Sequence, residues 1–340
     1  MRIGQNPAKQ KIAAYEPKRL GIASLIFIPH LEGYYAQVLK ILELQLKSLR
    51  VNTSEPFDML VFDNGSIPEV QQKLQELQRS GLIDWLILSN SNLGKTGALN
   101  WILAAMPNEI IGFTDSDVYF RPGWLEESLK RLNGSALVGV VTAQPCFADV
   151  LNGEERAFSS LSENGIEIQN YWPPNWAVQE FVHGLGGSEE MLQRFLKTPL
   201  HAVEFGDDKI KAVLGASHMQ FILRRELARS VIPLPAQFGL SAEEDRVFNQ
   251  RVDAEGFLHV SLPEPLVVHM GNALDEHLEE EIRRQLDSSP DLSEKAPHPG
   301  NEPADARLVE RILRKGARKP WFKRQLTRIY NLLFKILAES

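Results

Sequence analysis

The stretch FDMLVFDNGSIPEVQQKLQELQRSGLIDWLIL, residues 57–88, decides the fold. Phe57 to Phe62 is a short apolar run, which reads as a buried strand. Ser66-Ile67-Pro68-Glu69 then reads as a helix start. Ser66 serves as N-cap, Pro68 sits in the first turn, and Glu69 closes a capping box. Val70, Leu74 and Leu77 recur at helical spacing, and Gly81 stops the helix. Leu82 to Leu88 is apolar again, a second strand. The pair Asn64-Gly65 is a common hairpin signal. Here it leads into a helix, so it marks a strand-to-helix turn and leaves Asp63 at the end of its strand.

The same grammar extends on both sides. Leu25-Ile26-Phe27-Ile28 is an apolar run ended by Pro29, and Val38, Leu42, Leu46 and Leu49 follow at helical spacing. Ile110–Thr114 and Leu137–Thr142 read as strands, with helices starting near Thr96 and Pro122. Strands alternating with helices imply a mostly parallel sheet covered on both faces. Ligands of such sheets sit at the carboxyl ends of the strands. From Gln144 to Gly215 the pattern lapses into loops and aromatics, including Tyr171-Trp172-Pro173-Pro174-Asn175-Trp176. It returns with Ala216–Leu223, a helix from Ser241 to Ala254 stopped by Gly256, and strands near Phe257–Leu262 and Leu266–His269.

Composition excludes several classes. Of 340 residues 43% are apolar or aromatic, which is ordinary for a globular chain and rules out wholesale disorder. No apolar run reaches the roughly 18 residues of a membrane-spanning helix, and no signal-peptide core opens the chain. The single cysteine, Cys146, excludes an internal disulfide and cysteine-rich zinc sites. A cytoplasmic protein is expected. The net charge of −7 conceals a basic tail, for residues 307–335 hold ten Lys or Arg against Glu310 alone. The acidic remainder argues against nucleic acid as a partner.

Three strand ends carry polar residues: Asp63 in VFDNGS, then LSNSNLGKTGALN, then Asp115 and Asp117 in TDSDVYF. Gly94-Lys95-Thr96 resembles the end of a phosphate loop, but Ser89 stands where the first glycine belongs. Gly184-Leu185-Gly186 lacks the third glycine of a dinucleotide fingerprint, since Glu189 occupies its place. Asp115-Ser116-Asp117 suits a hard divalent cation that also holds phosphate oxygens. Taken alone, the triplet reads more readily as a solvated turn.

The ordered set is more specific. Asp63, then Asn92-Leu93-Gly94 with Ala98 and Asn100, then Asp115-x-Asp117 and Arg121-Pro122-Gly123-Trp124-Leu125 come in sequence. Gly215-Ala216-Ser217 through Phe221, Gly239-Leu240-Ser241-Ala242-Glu243-Glu244-Asp245 and Val267-Val268-His269 follow. Together they resemble the inverting glycosyltransferases of family 2, over about residues 22–272. The resemblance implies the GT-A fold, an α/β, Rossmann-like, mostly parallel sheet flanked by helices, here with a C-terminal helical extension.

By that resemblance Pro29 and Asp63 line the nucleotide base pocket, and Asn92, Lys95 and Asn100 support the nucleotide or donor sugar. Asp117 holds the metal, Mn2+ or Mg2+, with Asp115 nearer the ribose or donor sugar, and His269 is the protein ligand from the far end. The implied donor is a nucleotide-diphosphate sugar, with a UDP-sugar favoured over a GDP-sugar. One-step inversion needs a carboxylate to take the acceptor proton. Ser241-x-x-Glu244 is a capping box, which gives Glu244 a structural task. Asp245, at the family's base position and near the positive end of a helix, is assigned as base, with Glu244 second. Trp172 and Trp176 are acceptor candidates, since aromatic rings stack on sugars, although large aromatics also simply pack.

The expected organisation is an extension over 1–20, a nucleotide-sugar half over 21–143, and an acceptor and catalytic half over 144–286. A linker over 287–305 and a basic amphipathic tail over 306–340 complete it. In the tail Trp321, Phe322, Leu326, Ile329, Leu333, Ile336 and Leu337 recur at helical spacing among basic residues. This suits peripheral membrane contact, and with it a lipid-linked acceptor. It equally suits packing on the chain's own domain or in a dimer, with a sugar as acceptor. Two other functions compete. A nucleotidylyltransferase needs a Gly-rich basic loop after the first strand, where this chain has FIPHLEGYY. A non-catalytic sugar-binding protein of the same fold would have lost Asp117, Asp245 or His269.

Overall fold

The computed structural model describes residues 15–147, 155–235, 243–274, 276–287 and Arg328, without the side chains of 155–158, 243–245 and 277. The chain divides into two compact units. Pro17–Lys295 carries everything below. The other, Met1–Glu16 with Ala296–Ser340, is described only at Tyr15, Glu16 and Arg328. Apart from Asp287 and Arg328, the linker and the basic tail thus lie outside the described residues.

The first half runs β1 Leu20–Ile26, α1 Val38–Asn52, β2 Phe57–Asp63, α2 Pro68–Arg79, β3 Trp85–Leu88 and α3 Gly94–Ala105. It continues through β4 Ile110–Asp115, β5 Val118–Phe120, α4 Trp124–Gly134 and β6 Val138–Thr142. The second half runs α5 Glu155–Glu163, β7 Gln169–Tyr171, α6 Asn175–Gly184, α7 Glu189–Lys197, β8 Leu200–Phe205 and β9 Ile210–Leu214. It ends with β10 Gln220–Arg224, α8 Arg225–Val231, α9 Glu243–Ala254, β11 Leu258–Ser261, β12 Val267–His269 and α10 Glu276–Asp287.

Ten strands form one sheet in the order β3-β2-β1-β4-β10-β6-β11-β9-β8-β7, and β12 pairs with β5 in a second, small sheet. The pairs β2–β3, β1–β2, β1–β4 and β6–β11 are parallel. Beyond β4 the sheet is mixed, because β10 runs antiparallel to both β4 and β6. Alternate residues of a strand face opposite layers. On one face Leu20, Ile22 and Ile26 pack with Leu42, Leu46 and Leu49 of α1, Val70, Leu74 and Leu77 of α2, and Trp124 of α4. On the other, Ala23, Leu60 and Phe62 pack with Leu99, Ile102 and Leu103 of α3, Leu227 of α8, and Phe248 and Val252 of α9. The α/β class with helices on both faces is therefore as expected.

Three local readings need correction. The first strand begins at Leu20 and ends at Ile26, so the expected run Leu25–Ile28 marks only its exit. The capping box at Ser66 does not form. Ile67 is the N-cap and makes no side-chain cap bond, while Ser66 Oγ accepts from Ile28 N at 2.9 Å. Residues 144–215 are not mainly loops, since α5, α6, α7 and the hairpin β8–β9 lie there. The hairpin signal was present. Leu200–Phe205 is mostly buried, with His201 and Glu204 half-buried, and Gly206-Asp207-Asp208-Lys209 separates it from a second apolar run.

Candidate functional site

Because β1, β2 and β4 are parallel neighbours, their carboxyl ends emerge along one edge. Pro29 follows β1 and is half-buried. Asp63 closes β2 and is fully buried. Its Oδ1 accepts from Ser66 N at 3.0 Å and its Oδ2 from Gln71 Nε2 at 2.9 Å. The carboxylate thus folds the turn back on itself and on α2. Beside it Asn64, which sequence reasoning took only as a turn residue, joins two loops. Asn64 Nδ2 donates to Asn92 Oδ1 at 3.0 Å, and Asn64 Oδ1 accepts from Leu93 N at 2.8 Å. Asn92 Oδ1 also accepts from Gly94 N at 2.8 Å. Gly65 permits this contact. Its φ is +89°, and a Cβ there would lie 2.8 Å from the backbone of Ser91.

Asp115 ends β4, and the turn Asp115-Ser116-Asp117 leads at once into β5. Lys95, in the first turn of α3, donates to Asp115 Oδ2 at 2.8 Å and to His218 O at 3.2 Å. Burial raises the pKa of Asp115, and the Asp117 charge adds to this, while the Lys95 ammonium opposes both. Below the turn, buried Gln45 of α1 accepts from Ser24 Oγ at 2.9 Å and donates to the Asp115 carbonyl oxygen. Polar residues inside a helix stripe, Gln45 with Ser48 and Asn52, were the available sequence signal for this support.

The pairing of β5 with β12 places His269 opposite Val118. His269 Nε2 then lies 3.3 Å from Asp117 Oδ2, and Met270 N donates to Asp117 O at 2.7 Å. His269 Nδ1 is 2.8 Å from Gly184 O, at the end of α6. The imidazole is thus oriented by a backbone carbonyl on Nδ1, the kind of partner that orients metal-ligating histidines, and faces a carboxylate with Nε2. Burial works against charge on His269, but the hydrogen bond and charge of Asp117 outweigh it and push the pKa up to about 9. Gly184 has to be glycine for this approach, since a Cβ would lie 2.4 Å from His269 O. Among the described residues no group of three or more His, Cys, Asp or Glu side chains forms a metal cage. Asp117 and His269 offer two donors.

The other expected residues are placed differently. Asn100 Nδ2 donates to Leu234 O at 2.8 Å and its Oδ1 accepts from Leu234 N at 2.7 Å, so its amide clamps the chain after α8. Trp172 is 56% exposed and Trp176 48%. Trp176 lines a cleft of about 1040 Å³ with His269, Arg121, Glu180, Glu189 and Glu281, and Trp172 does not. Glu244 and Asp245 fall in the first turn of α9, but their side chains lie outside the described residues, as does Ser241.

Arg121 had been only part of a motif, and it proves to be a junction. It follows β5 and bridges Glu180 of α6 at 2.6 Å and Glu281 of α10 at 2.9 Å. Burial disfavours its charge, yet the hydrogen bonds to these two carboxylates more than offset that and raise its pKa.

The model of the family described as Glycosyl transferase family 2 matches residues 34–183. Over that span the chain is similar to glycosyltransferase family 2. The matched span runs from before α1 through α6, so it contains Asp63, Asn92, Lys95, Asp115 and Asp117 and stops short of α9 and His269. The chain's architecture is α/β, a mixed and largely parallel sheet between helices. An uncharacterized glycosyltransferase of Nostoc sp. (strain PCC 7120) is 23% identical over 36% of this chain and 37% of its own length. Among solved structures, the mannosyltransferase PcManGT of Pyrobaculum calidifontis with GDP-Man and Mn2+ overlays at a TM-score of 0.46. It is 15% identical, over 83% of this chain and 63% of that one. TarS of S. aureus with UDP-GlcNAc overlays at 0.42, with 13% identity, over 79% and 65%. The chain thus spans about a third of the curated relative and less than two thirds of these structures.

Proposed function

We propose that this chain is a family 2, metal-dependent inverting glycosyltransferase that moves a sugar from a nucleotide-diphosphate donor, UDP-linked by preference, to an acceptor hydroxyl. The observation that carries the reading is the convergence of Asp117 and His269 at 3.3 Å beside a lysine-held Asp115, at the carboxyl ends of parallel strands. Asp117 and His269 would hold the cation, with its remaining positions left to oxygens of donor and water. When bound, a divalent cation supplies charge neutralisation for the diphosphate that departs.

The chain's own residues divide the rest of the work. The Lys95 ammonium keeps Asp115 in one orientation, from which its carboxylate can accept from the ribose or donor sugar. Pro29, Asp63 and the Asn64–Asn92 pair shape the loops that would flank the nucleotide. Asp245 is proposed as the base that takes the acceptor proton, with Glu244 as the alternative. That the relatives are solved with UDP-GlcNAc and GDP-Man is consistent with a nucleotide-sugar donor. We place the protein in the cytoplasm, and no helix among the described residues is long and apolar enough to cross a membrane. The test is thermal-shift screening against UDP and GDP, each with and without Mn2+, because a ligand of the folded state alone raises its stability by mass action. A stabilisation that needs both nucleotide and metal, and that is lost in Asp117→Asn, is expected. No shift with either nucleotide overturns the reading.

A further inference from the structure

We propose that the cleft beside His269 is the acceptor site, that it seats an uncharged sugar chain against Trp176, and that it turns away acceptors bearing phosphate or carboxylate at the bound sugar. The proposal rests on the donor-side reading above and assigns the opposite half of the reaction.

The cleft is about 1040 Å³ and is bounded by α6, the turn after it, the start of α7, β12 and α10. That is at the upper end of the ~300–1,000 Å³ of small-molecule pockets, large enough for more than one sugar ring. One wall is His269, whose other side meets Asp117. A ligand in the cleft would therefore lie against the same histidine that faces the donor side.

Two features of the lining select a ligand class. Trp176, in the first turn of α6, keeps 48% of its surface exposed. A half-exposed indole on a concave surface offers an apolar face with a polar edge. Sugar rings are amphipathic in the complementary way, with C–H faces and a rim of hydroxyls. The charged lining is the second feature. Glu180, Glu189 and Glu281 supply three carboxylates, and Arg121 is the guanidinium among them. Arg121 spends Nε, Nη1 and Nη2 on Glu180 and Glu281. Two histidines, His183 and His269, also line the cleft, and His269 faces Asp117 with Nε2. Carboxylates accept hydrogen bonds from sugar hydroxyls and repel anions, and a concave site concentrates that field. A phosphate here would meet carboxylates and find the guanidinium already engaged.

The test uses the full chain and four probes: maltotetraose, cellotetraose and N-acetylchitotetraose, which are uncharged, and tetragalacturonate, which is anionic. Binding is followed by tryptophan fluorescence and by saturation-transfer NMR, with the shift from UDP or GDP plus Mn2+ recorded in parallel on each variant. At least one uncharged probe should bind, with tetragalacturonate silent. Trp176→Ala should weaken that binding by about tenfold or more, the scale of a lost aromatic contact, and Trp176→Phe should retain most of it. An unaltered nucleotide shift in Trp176→Ala shows that the variant is folded. The proposal is overturned if tetragalacturonate binds as well as the best uncharged probe, if Trp176→Ala binds undiminished, or if no uncharged probe binds while the nucleotide shift persists. Sugar binding with the expected variant pattern but no nucleotide shift would sink the donor reading and leave the cleft as a carbohydrate site.

Discussion

Replacing Arg121 with methionine tests whether the wall of the cleft is one electrostatic unit. The guanidinium side chain is 16% exposed. Its Nη1 and Nη2 donate to Glu180 at 2.9 and 2.6 Å, and its Nε and Nη2 donate to Glu281 at 2.9 and 3.0 Å. Methionine keeps much of the stem's packing and removes the charge. Two carboxylates from different helices would then face each other with no cation between them. Removing one partner of a buried ion pair costs about 3–5 kcal/mol, mostly through the charge left behind. Glu180 and Glu281 are 24% and 33% exposed, so water relieves part of that penalty. The lower end, about 3 kcal/mol, is therefore expected for Arg121→Met.

Urea denaturation of the full chain reads this as a fall in the midpoint at constant slope. Arg121→Lys should fall between, because an ammonium cannot make two forked pairs. Adding Glu180→Gln and Glu281→Gln to Arg121→Met should recover half of the loss or more, since no uncompensated charge remains. Because Glu180 belongs to the helix whose last carbonyl holds His269, Arg121→Met should also weaken the Mn2+-dependent nucleotide shift. A cost below about 1 kcal/mol would make Arg121 an ordinary surface pair. A triple variant no more stable than the single one would refute the orphaned-charge reasoning.

Further outcomes follow from the same geometry. Asp117→Asn should raise the transfer barrier by ~2–4 kcal/mol, the scale of one electrostatic stabiliser; full activity of the parent chain in excess chelator would remove both Asp117 and His269 from the metal assignment. Asp245→Asn should leave nucleotide binding intact and slow transfer by roughly 100-fold or more, whereas a crippled Glu244→Gln beside an active Asp245→Asn would exchange their roles. His259 of β11 is buried, and burial pushes its pKa down to about 3, with His218 adding to the effect from across Phe248. The unfolded chain takes up this proton below about pH 6.5 and the folded chain only near 3, so stability should fall by up to about 5 kcal/mol as pH drops through that window. His259→Leu should flatten the acid side of a melting-temperature profile, and an unchanged slope would exclude this histidine. Finally, the full chain and a chain ending at Asn301 should differ in co-sedimentation with anionic vesicles if the basic tail meets lipid; equal, salt-insensitive failure of both would leave packing on protein as its use.

The first half of the fold was legible because its signals are local. Helical spacing in Val70, Leu74 and Leu77 and the apolar runs of β2 and β4 each declare themselves within one element. The errors there were of competition between partners. Ser66 has the chemistry of an N-cap, but Asp63 and Ile28 claim its N–H and hydroxyl, so the helix starts one residue later. Asn100 has the chemistry to meet a donor, yet both ends of its amide are used by Leu234. A spacing rule reports what a side chain can do, and tertiary contacts decide which of those bonds it makes.

The proximity of His269 to Asp117 could not be read from spacing, because it is made by a three-residue strand pair that closes a long loop of chain. What holds that pair in register comes largely from the region that looked irregular. The end of α6 supplies the Gly184 carbonyl to His269, and its Glu180 takes one fork of Arg121, which sits just past β5. The other fork goes to α10, and Tyr119 of β5 also donates to Gln285 of that helix. Two helices distant in sequence, α6 and α10, thus brace one small sheet through charged and polar contacts, to which α10 adds Leu278 and Ile282 against Tyr119 and Val268. Hydrophobic periodicity reports cores and is silent about such braces. The segment least legible in the sequence is therefore the one that shapes the cleft and orients the histidine. Variation within residues 144–213 should accordingly alter what the site accepts while leaving Asp115, Asp117 and their parallel strands in place.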